Sequence, residues 1–143
     1  MSGYLLDTNV LSEIIKKRPS PAVVERMRAE AATALYTSAV CVMELRYGAA
    51  RSPHGSALWD RIRRDVLARI NVLALSDREA ARAGEILADL EARGTPIGVE
   101  DVLIGATALV ADLTVVTRNV RRLGRISGLT VEDWFLARPH AAG

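Results

Sequence analysis

The 143-residue sequence holds one cysteine, Cys41, and two histidines, His54 and His140. A lone thiol excludes an internal disulfide and a multi-thiolate metal site, and fits a reducing compartment. Cys41 lies in an apolar run and reads as a small core residue. His54 falls in a Ser/Pro/Gly stretch and His140 near the C-terminus, which argues against histidine-based catalysis or metal ligation. Aromatic residues make up 4% of the chain, so base stacking is not a prominent mode of recognition. Lysine is limited to Lys16 and Lys17, and the other basic residues are arginine. Arginine is the better planar partner for phosphate, although Arg and Ala richness also follows from a GC-rich genome, the reading preferred here. Net charge is only +2 despite a pI near 9.0, which marks neither a basic nucleic-acid coat nor a membrane-surface protein. No apolar run reaches membrane-span length. The opening "MSGYLLDTN" lacks the basic lead-in of a signal peptide. A cytoplasmic protein with no membrane partner is expected.

Half the residues are hydrophobic, enough for one sizeable core in a chain of this length. Short β-rich runs alternate with helical patterns. Strands are expected at 3–6, 34–38, 71–76, 113–117 and near 129–133, and helices at 8–16, 21–32, 39–50, 57–69, 77–93 and 99–112. Pro21 suits a first helical position. Ser76-Asp77-Arg78-Glu79 is a capping box, and "GTP" at 94–96 supplies a Gly stop followed by Pro. The pattern predicts an α/β class with a central, mainly parallel sheet of four or five strands flanked by helices. A single domain over 1–135 and a loose tail over 136–143 are expected. In such sheets ligands bind at the carboxyl ends of the strands. Asp7 follows the first strand, Thr37-Ser38 close the second, and Thr117-Arg118-Asn119 end the fourth.

Three acids are embedded in apolar sequence. Asp7 ends "YLLD", Glu44 lies in "AVCVMELRYG", and Asp101 lies in "PIGVEDVLIGATAL". The positions three and four residues from Glu44 and from Asp101 hold no cation, unlike those around Glu25 or Asp60. Each acid has an ordinary explanation. Asp7 caps the next helix, Asp101 favours a first turn through the helix dipole, or Glu44 is simply exposed. Gathered together, however, like charges raise one another's pKa unless a cation neutralises them. A hard divalent ion with oxygen ligands, Mg²⁺ or Mn²⁺, answers that need and suits phosphodiester hydrolysis. Spacing alone equally permits a phosphatase or a receiver-type domain.

With these residues assembled, the chain resembles the PIN-domain proteins, and more closely the ribonuclease toxins of bacterial toxin–antitoxin pairs, of the VapC and FitB type. The resemblance runs through "YLLDTNVLSE", "TSAVCVMELRYG", "GTPIGVEDVLIGATAL", "LTVVTRN" and "GLTVEDW", in order and along nearly the whole chain. It implies a three-layer PIN-like fold and a metal-dependent endoribonuclease, with attack on RNA by a metal-activated water. Asp7, Glu44 and Asp101 would form the acidic core. Asp7 and Asp101 would be the main ligands of Mg²⁺ or Mn²⁺, with Glu44 ligating through water or orienting the nucleophile. Thr8, Asn9 and Thr117 would steady the pocket. It further implies a homodimer or toxin–antitoxin hetero-oligomer, an antitoxin partner, and operator DNA bound only through that antitoxin.

Many relatives carry a fourth acid after the fourth strand. Here "TRNVRRLGR" puts Asn119 in the first candidate position and Arg122 in another. Asn119 offers an oxygen without a charge, and Glu100 is a further stand-in, although adjacent helical residues diverge. Arg118, Arg121, Arg122 and Arg125 follow the same strand and are expected to meet the RNA backbone. Arg61, Arg63, Arg64 and Arg69 go round a separate helix and read as solvated. Two alternatives stand beside the nuclease. One is a catalytically weakened PIN-like module that binds an antitoxin or RNA. The other is an aspartate-dependent phosphatase, disfavoured by Asn9 where a second acid is needed and by the placement of both lysines.

Overall fold

The computed structural model describes residues 3–136. The run GYLL extends as β1 (Gly3–Leu6) and stops where Asp7 caps α1 (Thr8–Ile14). α2 (Pro21–Ala29) starts on Pro21, whose fixed φ and missing N–H suit a first turn. β2 (Leu35–Ser38) leads directly into α3 (Ala39–Arg51), then α4 (Gly55–Asp65) and β3 (Asn71–Leu73). The capping box forms at Ser76 and opens α5 (Asp77–Ala92), and Gly94 follows the helix at φ +69°. α6 (Val99–Ala111), β4 (Leu113–Val116), α7 (Val120–Leu123) and β5 (Val131–Glu132) complete the described chain.

The five strands form one sheet in the order β3-β2-β1-β4-β5, with every neighbouring pair parallel. Adjacent strand residues face opposite sides of the sheet. Leu5 and Val115 therefore enter a core with α3, α5 and α6, through Cys41, Ile86, Leu90 and Val102. Leu6 and Val116 enter a second core with α1, α2 and α4, through Val10, Leu11, Val23 and Ile62. Covering both faces explains why the central strands β1 and β4 carry apolar residues on both sides.

Several element boundaries differ from expectation. The first helix stops at Ile14, and the second at Ala29 before a 3-10 turn over Ala32–Ala34. The arginine-rich helix runs Gly55–Asp65, and its expected last turn is a 3-10 segment, Leu67–Arg69. The third strand ends at Leu73, where its pairing with Ser38 ends. The last strand is two residues long because it pairs only with Val115 and Val116. α7 was not expected from the sequence at all. Of the expected loose tail, 137–143 lie outside the described residues.

The chain builds outward from β1 to β2 and β3, then returns to β4 on the other side of β1. Strand order therefore reverses between β1 and β4. That reversal leaves a crevice at the carboxyl ends of the two strands, the usual ligand position in such sheets.

Candidate active site

Asp7 and Thr117 are the residues immediately after β1 and β4, so both stand at this crevice. The Asp7 backbone N–H donates to the Val116 carbonyl at 2.9 Å and thus continues the β1–β4 pairing. Asp7 is 3% exposed, and its Oδ1 accepts the Thr8 N–H at 2.8 Å as the cap of α1. Oδ2 accepts the Thr117 hydroxyl at 2.8 Å and the Asn9 amide at 3.4 Å. The Thr117 hydroxyl also accepts the Asn119 N–H at 2.9 Å and the Asn9 amide at 3.3 Å. Asn9 Oδ1 in turn accepts the Arg118 N–H at 3.1 Å. Of the expected pocket residues, Asn9 and Thr117 thus hold the Asp7 carboxylate directly, and Asn119 braces Thr117.

Glu44 approaches from α3. Ser38 caps that helix by accepting the Cys41 N–H at 3.2 Å, and the Thr37 hydroxyl ties β2 to β1 through the Leu6 carbonyl at 2.8 Å. Thr8 donates its hydroxyl to Glu44 Oε1 at 2.7 Å, so it holds both acids, one through its backbone and one through its side chain. Asp7, Cys41 and Glu44 each offer a ligand atom within 4.8 Å of the others. Burial, then repulsion from Asp7, pushes the Cys41 thiol up from its usual range. It therefore remains a neutral thiol at the pocket floor, its sulfur 3.9 Å from Asp7 Oδ1. Sequence reasoning placed Cys41 in the core, where it is, and missed its position under the site. The available signal was Ser38 three residues before it.

Asp101 is in the first turn of α6 and lies outside that 4.8 Å group. Its Oδ2 instead forms an ion pair with Arg122 Nε at 3.1 Å. The three expected acids thus differ in surroundings: Asp7 and Glu44 share the 4.8 Å group, and Asp101 faces a cation. Scanning neighbours within α6 missed Arg122 because it arrives from α7.

Burial is the main influence raising the Glu44 pKa. The Thr8 hydrogen bond opposes it, and the charges of Asp7, Asp101 and Glu100 reinforce it. Burial likewise raises the Asp101 pKa, opposed by Arg122 and reinforced by Asp7 and Glu100. The acids therefore act on one another across the pocket. Exposed Glu100 contributes negative potential from the rim.

Among the described residues, Asp7 and Glu44 have no ion-pair partner. The donor set is carboxylate oxygen around uncompensated negative charge, with a thiol kept protonated. Those features fit a hard divalent cation rather than a soft one.

The other expected arginines are engaged differently. Arg118 stacks on Phe135, 3.8 Å from the ring centroid, and Arg125 Nη1 donates to the Pro96 carbonyl at 3.2 Å. Arg121 is exposed and makes no side-chain hydrogen bond or ion pair among the described residues.

The PIN-domain family model matches residues 4–129. Ribonuclease VapC2 of Haemophilus influenzae is 34% identical over 134 residues, covering 94% of this chain and 99% of that protein. The tRNA(fMet)-specific endonuclease VapC of Salmonella typhimurium is 34% identical over 136 residues, with the same coverages. The structure of DNA-bound VapBC from Salmonella typhimurium superposes with a TM-score of 0.86 at 34% identity, over 94% of this chain and 99% of the matched chain. With the acids at the sheet's reversal point, these similarities lead to one conclusion: the chain belongs to the PIN-domain family, alongside the VapC ribonucleases.

Proposed function

We propose that this chain is the toxin of a toxin–antitoxin pair and an endoribonuclease that hydrolyses RNA phosphodiester bonds. The observation that carries the reading is the buried Asp7 carboxylate, held beside Glu44 at the β1–β4 crevice with no cation paired to it among the described residues. The names of the VapC relatives support RNA as substrate. Asp7, Glu44 and Asp101 would hold a divalent cation, Mg²⁺ or Mn²⁺. Such a cation supplies charge neutralisation for a phosphate and lowers the pKa of water.

The remaining roles belong to the chain. Asp7 is held and oriented by Thr8, Asn9 and Thr117. Glu44, with its raised pKa, is suited to accept a proton from water at a carboxylate oxygen. In the hydrolysis, the water oxygen bonds to phosphorus, the phosphorus–oxygen bond to the leaving nucleoside breaks, and a proton passes to that oxygen. Arg121, exposed on α7, is suited to an RNA phosphate.

The VapBC and FitAB complexes among the structural neighbours support an antitoxin partner and an operator-bound hetero-oligomer in which the antitoxin contacts DNA. A homodimer and a cytoplasmic location belong to the same reading. No helix among the described residues is long and apolar enough to cross a membrane.

The test is purified chain, free of any partner, incubated with a broad transcript pool and Mg²⁺ or Mn²⁺. Cleavage is expected, EDTA is expected to stop it, and Asp7→Asn is expected to reduce it by at least about 100-fold. Cleavage that survives both changes overturns the metal-dependent mechanism. The Arg122–Asp101 pair also favours a second reading, a module weakened in catalysis that retains partner binding. Intact RNA in the presence of folded, Mn²⁺-loaded protein would select it.

A further inference from the structure

Arg122 Nε meets Asp101 Oδ2 at 3.1 Å, so a guanidinium borders the acidic site. The Asp101 side chain is 16% exposed and that of Arg122 52% exposed. A shielded carboxylate is therefore paired with a guanidinium that has open solvent on its other side. Among the described residues, no other cation pairs with Asp7, Glu44 or Asp101.

The backbone beneath Arg122 is anchored. Leu123 and Ile126, both at most 2% exposed, pack into the core. Ile126 lies against Gly105, one turn beyond Asp101 on α6, where a Cβ would collide with it. Arg93 Nη2 donates to the Arg125 carbonyl at 2.7 Å and fastens the following loop to α5. α7 thus presents Arg122 from a fixed base, while the side chain itself has room to swing outward.

We propose that Arg122 is a built-in counter-ion that competes with the divalent cation for Asp101, and so sets the metal affinity of the site. The proposal rests on the metal-pocket reading given above. Arginine stays protonated in proteins, so it releases Asp101 only by moving away. Binding is then weakened by the fraction of molecules in which Asp101 is free, roughly tenfold if the pair is formed about nine times in ten. The paired pocket is a resting state in which the chain supplies its own cation.

The experiment titrates Mn²⁺ into the full chain, purified free of any partner, by isothermal calorimetry and by the electron-spin signal of unbound Mn²⁺. Arg122→Gln and Arg122→Met are compared with wild type and with Arg121→Gln. The last removes the same charge one residue away but leaves the pair intact. Circular dichroism and thermal unfolding check that each variant is folded. Both Arg122 variants are expected to bind Mn²⁺ about 5–10-fold tighter than wild type, and Arg121→Gln to stay within about twofold of it. Unchanged or weaker affinity in the Arg122 variants overturns the proposal, as does an equal gain in Arg121→Gln. If wild type binds Mn²⁺ and the Arg122 variants match it, only the competition is wrong. If none of the proteins binds Mn²⁺, the metal-pocket reading fails and the competition falls with it.

Discussion

Thr117 is fully buried, and its single hydroxyl donates to Asp7 while accepting from Asn119 and Asn9. Thr117→Val keeps the shape and deletes all three contacts. Buried polar groups left without partners cost about 1–3 kcal/mol, so urea unfolding should register a loss of that size. A loss within experimental error would mean that the carboxylate finds water instead.

Glu44 carries the opposite sign of effect. Its folded pKa is raised, so the folded state binds the proton more tightly than the unfolded chain does. Its charge therefore weakens the fold at pH values above the folded pKa. That penalty disappears as pH falls below the ordinary glutamate value of about 4.3. In EDTA, Glu44→Gln should raise the melting temperature at pH 7 and lose its advantage near pH 4. Equal melting curves at pH 7 would contradict the raised pKa. The three acids stood out in the sequence because each is embedded in apolar residues. The pairing of Arg122 with Asp101 was not legible there, because it depends on the packing of α7 on α6.

At the scale of elements, local signals succeeded where the chemistry is local. The Ser76 capping box opens α5 as its sequence predicts, with the Ser76 hydroxyl and N–H both meeting the Glu79 carboxylate. Ser76→Ala should lower unfolding free energy by about 0.5–2 kcal/mol, read by chemical denaturation. α7 shows the reverse case. Four residues, Val120–Leu123, are too short to carry a periodic pattern, and the helix exists because Leu123 and Ile126 are buried against α6. Enlarging Gly105 attacks that contact. Gly105→Val should cost about 1–3 kcal/mol by overpacking against Ile126. It should also disturb the Arg122–Asp101 pair, which the Mn²⁺ titration would report as a changed affinity. β3 and β5 were expected longer than they are, because a strand's end is set by how far its neighbour continues to pair, information that lies elsewhere in the chain.

At the scale of the molecule, the balance of charge is nearly even, yet its distribution is not. The acids collect at the carboxyl edge of the sheet, and four arginines follow β4 beside them. Three of the four are already engaged, with Phe135, Asp101 and the Pro96 carbonyl. Arg121 is left as the clearest phosphate contact. In the proposed RNA complex, Arg121→Gln should flatten the slope of log affinity against log salt by roughly 0.7, the amount for one phosphate contact on a single strand. Fluorescence anisotropy with a labelled transcript, in EDTA to prevent cleavage, measures it. An unchanged slope would move the RNA path elsewhere.

The amino-acid order by itself determined the α/β class, the helix caps at Asp7 and Ser76, and the identity of the three acids. These follow from periodicity, capping chemistry and the rarity of charge in apolar runs, all of which act over a few residues. Only the tertiary structure decided how the acids are arranged. The return of β4 to the far side of β1 brings Asp7 and Thr117 together, and no short-range pattern encodes that return. The same packing draws Glu44 to Thr8 and gives Asp101 to Arg122. A carboxylate's chemistry is written in its residue type, but its partner, and hence its charge balance, is set by which distant segments the fold places within a few ångströms.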